Sequence, residues 1–268
     1  MLGFISFGSG SSGNCYFLYT ANDGLMIDAG VGVRTLKKYF KDYGLNLEQV
    51  HHLLITHDHA DHIKCVGSIS HDLHLKVYAT EEVHQGIDRN YSVSRKVDQI
   101  DRCYIEAGRT MQLGDFEVTP FRVPHDSSDN MGYMIQAEGE AFCIITDAGT
   151  VTPEMAKFIG QATSLVIEAN HDREMLVSGP YPEHLKVRIV SDTGHLSNTL
   201  CAEAIAQNMS EQLKRVWLCH LSEENNHPEL ARKTVEQVLR SYGIIAGKDI
   251  ELEVLKRTIP TGIFMLKD

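Results

Sequence analysis

The sequence lacks the features of a basic-surface nucleic-acid binder, of a disulfide-stabilised protein and of a membrane protein. Its 25 basic side chains are outnumbered by 36 acidic ones, giving a formal charge of −11, so a broad basic face that neutralises phosphates is excluded. No apolar run approaches the roughly 20 residues of a membrane-spanning helix. Residues 1–7 lack a basic n-region and a cleavage site and predict a strand, which favours a cytoplasmic location.

Cysteine and proline are also sparse and scattered. The six cysteines include no CxxC pair, and a chain of 268 residues without an export signal needs no disulfide framework. We therefore interpret all six as buried thiols, at Cys15, Cys65, Cys103, Cys143, Cys201 and Cys219. Only 7 prolines occur, and no repeat, low-complexity tract or linker interrupts the chain, so we predict one domain over 1–268.

Hydrophobic patterning predicts a layered α/β (α+β) fold. Apolar or alternating runs predict strands at 2–7, 15–19, 25–28, 52–56, 76–79, 116–123, 132–137, 141–146, 164–168 and 216–219. Amphipathic segments predict helices at 33–43, 153–160, 197–207 and 228–242. Hairpins in the first half and strand–helix alternation in the second indicate sheet packed on sheet, with helices outside.

The densest chemical signal is the HDHADH segment at 57–62, directly after a buried-type strand. At strand spacing His57 and His59 point to the same side, and a turn into a helix brings Asp61 and His62 towards them. Nitrogen and carboxylate ligands suit Zn²⁺, with Mn²⁺ or Fe²⁺ as alternatives. A solvated His-rich loop is the competing interpretation, but this density of ligands on a strand-to-helix turn favours a metal site.

The HxHxDH pattern resembles the signature of the metallo-β-lactamase superfamily. The resemblance implies a four-layer αββα sandwich of two mixed β-sheets flanked by helices, with one or two metals where the sheets meet. The chain has no room for the inserted β-CASP domain of related nucleases. The superfamily pattern implies one metal on His57, His59 and His125, a second on Asp61, His62 and His220, and Asp147 as the bridge between them.

Two further segments help to distinguish which branch of this superfamily the sequence resembles. The Gly/Ser-rich loop 8–14 is a flexible hairpin or else a nest that takes a phosphate, in which case Ser11, Ser12 and Asn14 are candidate contacts. In SDTGHLSN, at 191–198, His195 lies before a helix, which resembles the arrangement in β-CASP-type nucleases. His171 in EANHD is a further candidate for contact with the substrate or the ligands.

The complete motif set, which also includes IDAG, VPHD, TDAG and HLSEENN, resembles the YycJ/WalJ group of bacterial cytoplasmic proteins. These are described as 5′ to 3′ DNA exonucleases linked to mismatch repair. The resemblance implies two divalent ions, a nucleic-acid substrate with DNA favoured over RNA, and repair proteins as partners. A metal-bridging hydroxide would attack the phosphate, Asp61 would orient it or accept its proton, and His195 would serve as general acid or phosphate contact.

Other functions remain open at this point. The same dinuclear centre hydrolyses thioesters, lactones or other small esters elsewhere in the fold, and a small phosphodiester is another possible substrate. A non-catalytic metal-binding scaffold is a third hypothesis, against which the intact ligand set counts. The basic and aromatic segment 89–96 either guides a single nucleic-acid strand or is a solvated loop.

Overall fold

The computed structural model describes residues 1–266 and contains two seven-stranded β-sheets. The strands of the first sheet are β1 (Leu2–Gly8), β2 (Cys15–Tyr19), β3 (Gly24–Ile27), β4 (His52–Leu54), β5 (Lys76–Ala79), β6 (Arg102–Tyr104) and β14 (Ile263–Leu266). They lie in the order β14, β1, β2, β3, β4, β5, β6. Strands β3 to β6 are parallel, so their carboxyl ends share one edge of the sheet.

The second sheet repeats this mixed arrangement. Its strands are β7 (Met111–Leu113), β8 (Phe116–Arg122), β9 (Met131–Ala137), β10 (Glu140–Ile145), β11 (Ser164–Glu168), β12 (Arg215–Cys219) and β13 (Glu251–Val254). They lie in sequential order from β7 at one edge to β13 at the other. Strands β7 to β10 form an antiparallel meander, and β10 to β13 are parallel.

The helices cover the outer faces of the two sheets. They are α1 (Val33–Asp42), α2 (Ala60–Ile63), α3 (Val66–Leu73), α4 (Glu81–Arg89), α5 (Pro153–Gln161), α6 (Arg173–Ser178), α7 (Glu183–Ile189), α8 (Asn198–Asn208) and α9 (Pro228–Ser241), with short 3₁₀ turns at Leu47–Gln49 and Gln99–Asp101. None of the helices described here is long and apolar enough to cross a membrane.

Three apolar clusters hold the layers together. Between the sheets, the Phe4 ring packs 4.9 Å from Phe142 and 5.0 Å from the single tryptophan, Trp217, measured between ring centroids. A second cluster packs α1, α3 and α4 on the first sheet, and a third packs α5, α8 and α9 on the second. This αββα architecture confirms the predicted fold class.

The predicted element boundaries agree with the structure to within one or two residues for most elements. Strand β2, for example, has the predicted ends. Short edge strands β6, β7, β13 and β14 were absent from the prediction, as were α3, α4, α6 and α7. The prediction of six buried thiols is wrong for Cys65 and Cys103, which are partly exposed beside α3 and on an edge strand. All six thiols are free.

Candidate metal centre

The site lies where the carboxyl ends of strands from both sheets meet. Asp28 and His57 follow β3 and β4 of the first sheet, while Asp147 and His220 follow β10 and β12 of the second. Asp28, Asp147 and His220 have left-handed backbones, with φ of 63°, 54° and 53°. Such backbones are costly for residues other than glycine and gather at functional sites. These backbone conformations direct the three side chains away from the strand axes and towards one another, where the two sheets meet.

The predicted ligands meet in overlapping groups of donor atoms that lie within 4.8 Å of one another. One group is His57, His59 and His125, and another is Asp61, His62 and His220. Two further groups share Asp147: one with His57 and His62, the other with Glu168, His195 and His220. The structure therefore brings all seven predicted ligands together, and their division between two metals stays a prediction.

Asp147 occupies the centre of this arrangement. One of its oxygens lies 3.8 Å from His125 Nε2 and 3.3 Å from His220 Nδ1, and the other lies 3.2 Å from His62 Nε2. Its side chain is 2% exposed. A carboxylate that faces both histidine groups in this way is placed to bridge two cations, and the bridging role of Asp147 stays a prediction.

The donor set fits a divalent metal. His57 is buried, and its Nε2 has no hydrogen-bond partner among the residues described. An orphaned buried nitrogen is costly unless a further group completes its bonding. His59 and His125 supply the neighbouring nitrogens, with 3.2 Å between His59 Nδ1 and His125 Nε2. Imidazole and carboxylate donors without thiolates suit Zn²⁺, Mn²⁺ or Fe²⁺.

The electrostatic field favours positive charge at His62 and His220, whereas burial lowers the pKa of His57 and His125. Burial opposes protonation of His62, but the carboxylates of Asp28, Asp147 and Asp61 outweigh it and raise its pKa to about 10. Burial likewise opposes protonation of His220, and Asp147 leads the groups that raise its pKa well above the usual value. A field that holds protons this strongly also attracts a divalent cation, which would replace them on the ring nitrogens.

Asp28 braces the first-sheet side of the centre. Its carboxylate accepts hydrogen bonds from the Thr56 backbone N–H at 2.8 Å and from the Thr56 hydroxyl. It also contacts His62 Nδ1 at 2.7 Å. With Nδ1–H donating to Asp28, His62 presents Nε2 to the centre. Carboxylate support of this kind orients metal-binding histidines.

Glu168 braces the second-sheet side, and the sequence interpretation missed this role. Its buried carboxylate contacts His195 Nδ1 at 2.7 Å and His220 Nδ1 at 3.1 Å. It also accepts hydrogen bonds from the backbone N–H groups of Ala148 and Leu196. The signal in the sequence is an acidic residue that ends the otherwise apolar strand β11, between the strands that deliver Asp147 and His220.

His195 lies at the centre, and His171 lies behind it. The His195 ring is 5.0 Å from His125 and 5.6 Å from His220 between centroids, with 17% of its side chain exposed. Burial opposes protonation of His195, but Glu168 outweighs it and raises its pKa. Burial lowers the pKa of His171 to about 4, and its Nδ1 has no partner within residues 1–266.

The Gly/Ser loop connects β1 to β2 and contacts the ligands through Ser9 and Asn14. The Ser9 hydroxyl accepts a hydrogen bond of 3.0 Å from the His220 backbone N–H. Asn14 is buried, and its side-chain amide nitrogen lies 3.1 Å from Asp61 Oδ2 and 2.8 Å from His62 Nε2. Its amide oxygen accepts a hydrogen bond from the Gly10 backbone N–H, which closes the loop. Ser11 and Ser12 are exposed at the loop tip. The structure thus places Asn14 against the ligands and the two serines at the rim.

Comparison with known proteins gives the class. A sequence profile of the β-lactamase superfamily domain matches residues 24–221. The chain belongs to this superfamily and is a hydrolase of the metallo-β-lactamase fold, which confirms the resemblance seen in its HxHxDH segment.

The chain is also similar to individual proteins of this superfamily. Exodeoxyribonuclease WalJ of Streptococcus pneumoniae is 36% identical over 244 residues, covering 91% of this chain and 90% of that protein. Exodeoxyribonuclease YycJ of Bacillus anthracis is 36% identical over 255 residues, covering 95% and 96%. The metallo-β-lactamase fold protein YhfI from Bacillus subtilis superposes with a TM-score of 0.70 at 15% identity, covering 97% and 98%, and shows the fold alone.

Proposed function

We propose that this protein is a dinuclear metal-dependent phosphodiesterase that removes nucleotides from DNA. The observation that carries the proposal is the central position of Asp147 between two ligand triads, with His195 beside it. The relatives named exodeoxyribonucleases support DNA as the substrate. Cleavage in the 5′ to 3′ direction, a cytoplasmic role in mismatch repair and repair-protein partners are finer parts of the proposal, drawn from the motif resemblance.

The proposed ligand sets are the two triads described above. His57, His59 and His125 would hold one ion, and Asp61, His62 and His220 the other. Zn²⁺ is the first choice, with Mn²⁺ or Fe²⁺ as alternatives. Two divalent ions, when bound, supply a hydrolytic nucleophile near neutral pH and neutralise the charge that develops on a phosphate.

His195 is proposed as the group that protonates the leaving oxygen. Its Nδ1–H donates to the Glu168 carboxylate, which fixes the ring orientation and leaves Nε2 to face a substrate. Asp61 is the proposed proton acceptor. Asp61 Oδ2 contacts the Asn14 side-chain amide and lies 3.3 Å from His220 Nε2. Asp61 Oδ1 makes neither contact, so the two carboxylate oxygens of Asp61 have different environments.

A substrate panel tests the function. Metal-reconstituted protein is assayed with end-labelled single- and double-stranded DNA and RNA, a thioester, a lactone and a small chromogenic phosphodiester. We expect stepwise shortening of DNA from a 5′ end, which chelator abolishes and added metal restores. Hydrolysis of the thioester or lactone alone would favour a small-ester hydrolase and reject the nuclease. Cleavage of the small phosphodiester alone would indicate a phosphodiesterase for small substrates.

His195→Ala tests the proton-transfer role. We expect turnover to fall by about 10²–10⁴-fold, because general acid catalysis contributes that much, while metal content stays at the wild-type level. Metal content is measured by elemental analysis and turnover on end-labelled DNA. If the variant loses a metal ion instead, His195 is a ligand, as its grouping with Asp147, Glu168 and His220 also permits, or a scaffold residue of the site.

A further inference from the structure

An exposed tyrosine stands on a loop that is fixed to the metal-binding segment. The loop spans residues 90–97 after α4, and Tyr91 is 96% exposed. By contrast, Tyr16 and Tyr133 are fully buried between the sheets. Tyr91 makes no hydrogen bond or ring contact within residues 1–266. Its ring therefore contributes nothing to packing and both of its faces are open to a ligand.

Two contacts fix this loop to Asp58, the residue between the predicted ligands His57 and His59. The Asn90 side-chain amide donates a hydrogen bond of 3.0 Å to the backbone oxygen of Asp58, which lies between His57 and His59. Gly86 of α4 packs so tightly on the Asp58 side chain that a Cβ at this position would lie 1.9 Å from Oδ2. Tyr91 directly follows Asn90, so its backbone is held at the side of the HDHADH segment.

The loop is held in one conformation by its own hydrogen bonds. The Asn90 side-chain oxygen accepts from the Ser92 N–H at 2.9 Å. The Lys96 ammonium donates to the Asn90 and Ile87 carbonyl oxygens at 2.6 and 2.9 Å. Val93 is buried and anchors the middle of the loop. A ring on a fixed loop loses little conformational entropy when a ligand binds.

Two guanidinium groups flank the ring in sequence. Arg89 and Arg95 are exposed, and neither guanidinium forms a hydrogen bond or an ion pair with any residue in the described range 1–266. The nearby Arg102 differs, because its guanidinium makes two hydrogen bonds to the Asp88 carboxylate at 2.7 and 2.8 Å. The positive charges of Arg89 and Arg95 are thus not paired with a carboxylate and can bind an anionic partner, although the formal charge of the chain is −11.

We propose that Tyr91, with Arg89 and Arg95, forms a base-stacking platform for single-stranded nucleic acid beside the metal centre. An open aromatic face stacks on a nucleobase of any sequence, and guanidinium groups contact the adjoining phosphates. A paired and stacked base offers no free face, so the platform selects single strands or frayed ends. This inference rests on the proposed phosphodiesterase function and deepens it by naming the form of the substrate.

Binding measurements test the platform. Metal-reconstituted protein is titrated against a short fluorescent phosphorothioate oligodeoxynucleotide, which resists cleavage, and affinity is read by anisotropy. We expect Tyr91→Ala to weaken single-strand binding about tenfold, whereas Tyr91→Phe stays within about twofold because the ring is retained. Tyr242→Ala, at the end of α9 and 50% exposed, is the matched control and leaves binding unchanged.

Two further experiments separate the contribution of base stacking to single-strand affinity from that of the arginine charges. In an oligonucleotide series with one abasic site moved along the strand, one position should remove the effect of Tyr91→Ala. Replacing Arg89 or Arg95 by Gln should reduce the slope of log affinity against log salt by about 0.7 each, as for a single lost phosphate contact. Circular dichroism confirms folding of each variant.

The outcomes distinguish the two proposals. The platform is overturned if Tyr91→Ala binds single strands as tightly as the wild type, or if Tyr91→Phe loses as much affinity as Tyr91→Ala. Either result holds even if the protein cleaves DNA, and the exposed ring would then serve another partner such as a protein. Failure of the wild type to bind single strands also overturns it. Tyr91-dependent binding without cleavage of any nucleic acid supports the platform and rejects the proposed nuclease function.

Discussion

Aspartate and histidine gather at both ends of β3 and β4, but the two clusters have different geometries. At the amino ends, Asp23 contacts His51 Nδ1 at 2.6 Å and His52 Nε2 at 3.3 Å. The same carboxylate accepts the Asp115 backbone N–H at 2.9 Å, which joins a turn of one sheet to a turn of the other. This amino-end cluster is a hydrogen-bonded clasp between hairpins.

At the carboxyl ends, several carboxylates and imidazoles converge, and direct hydrogen bonds do not satisfy all of their polar atoms. His57 Nε2 is buried without a partner among the described residues, and Asp147 stands between two triads. Every group of three or more close metal-ligand atoms found within residues 1–266 lies at this end. The presence of aspartate and histidine alone therefore does not make a metal centre; the backbone placement and the larger number of convergent side chains distinguish it.

The sharpest test of this difference replaces one aspartate in each cluster by asparagine. Asp147→Asn should lose metal and at least about 10³-fold in turnover on DNA, because a ligand that faces both triads acts with them as a unit. Asp23→Asn should keep wild-type metal content and turnover while losing about 1–3 kcal/mol of folding stability, since a buried charged hydrogen-bond acceptor is removed. Elemental analysis, DNA hydrolysis and urea unfolding provide the three measurements.

Each aspartate serves as control for the other. If Asp23→Asn also lost metal, the amino-end cluster would hold an ion and the distinction would fail. If Asp147→Asn kept both metals and full turnover, Asp147 would be a structural carboxylate and its proposed bridging role would be rejected.

A smaller effect is expected at the carboxylate that supports the ligands from behind. Glu168→Gln keeps the shape but weakens the acceptor for His195 and His220, so we expect metal affinity to fall about 10–100-fold. Glu140→Gln is the matched control. Glu140 is also buried in the second sheet, but it accepts a hydrogen bond from the Thr163 hydroxyl at the start of β11, the end remote from the ligands.

Metal affinity of the two glutamate variants is measured by competition with a chromogenic chelator. The supporting role of Glu168 would be refuted if both variants bound metal as tightly as the wild type, or if both were weakened equally through general destabilisation. Urea unfolding of the metal-free proteins separates the second case from a local effect.

Part of the carboxyl-end cluster was predictable from local pattern, because the HDHADH segment follows an apolar strand. His125, Asp147 and His220 also follow apolar strands, but their selection as ligands came from the family resemblance. The layered sandwich was predictable because strand patterning and helix periodicity are local signals.

The remainder depends on long-range placement. Glu168 is the last residue of an ordinary buried strand, and its role exists because parallel pairing puts it beside Cys219, next to His220. The clasp at Asp23 requires a turn from the other sheet, which no local pattern around His51 or His52 indicates. The edge strands were missed because they are short and also largely exposed or half-buried, so none forms a buried apolar run.

The smallest expected effect concerns the balance of burial and charge in the clasp. Three carboxylates overcome burial at His62 and raise its pKa, but at His52 burial dominates over the single Asp23 and lowers the pKa. A histidine whose pKa is lower in the folded state stabilises the fold above its unfolded pKa of about 6.5, and this contribution is lost progressively as pH falls from that value through the lower folded pKa. His52→Gln should therefore lose less stability than the wild type between about pH 7.5 and pH 5, by on the order of 0.5 kcal/mol. Urea unfolding across this range measures the difference, and parallel pH profiles for the two proteins would show that one carboxylate suffices to offset burial.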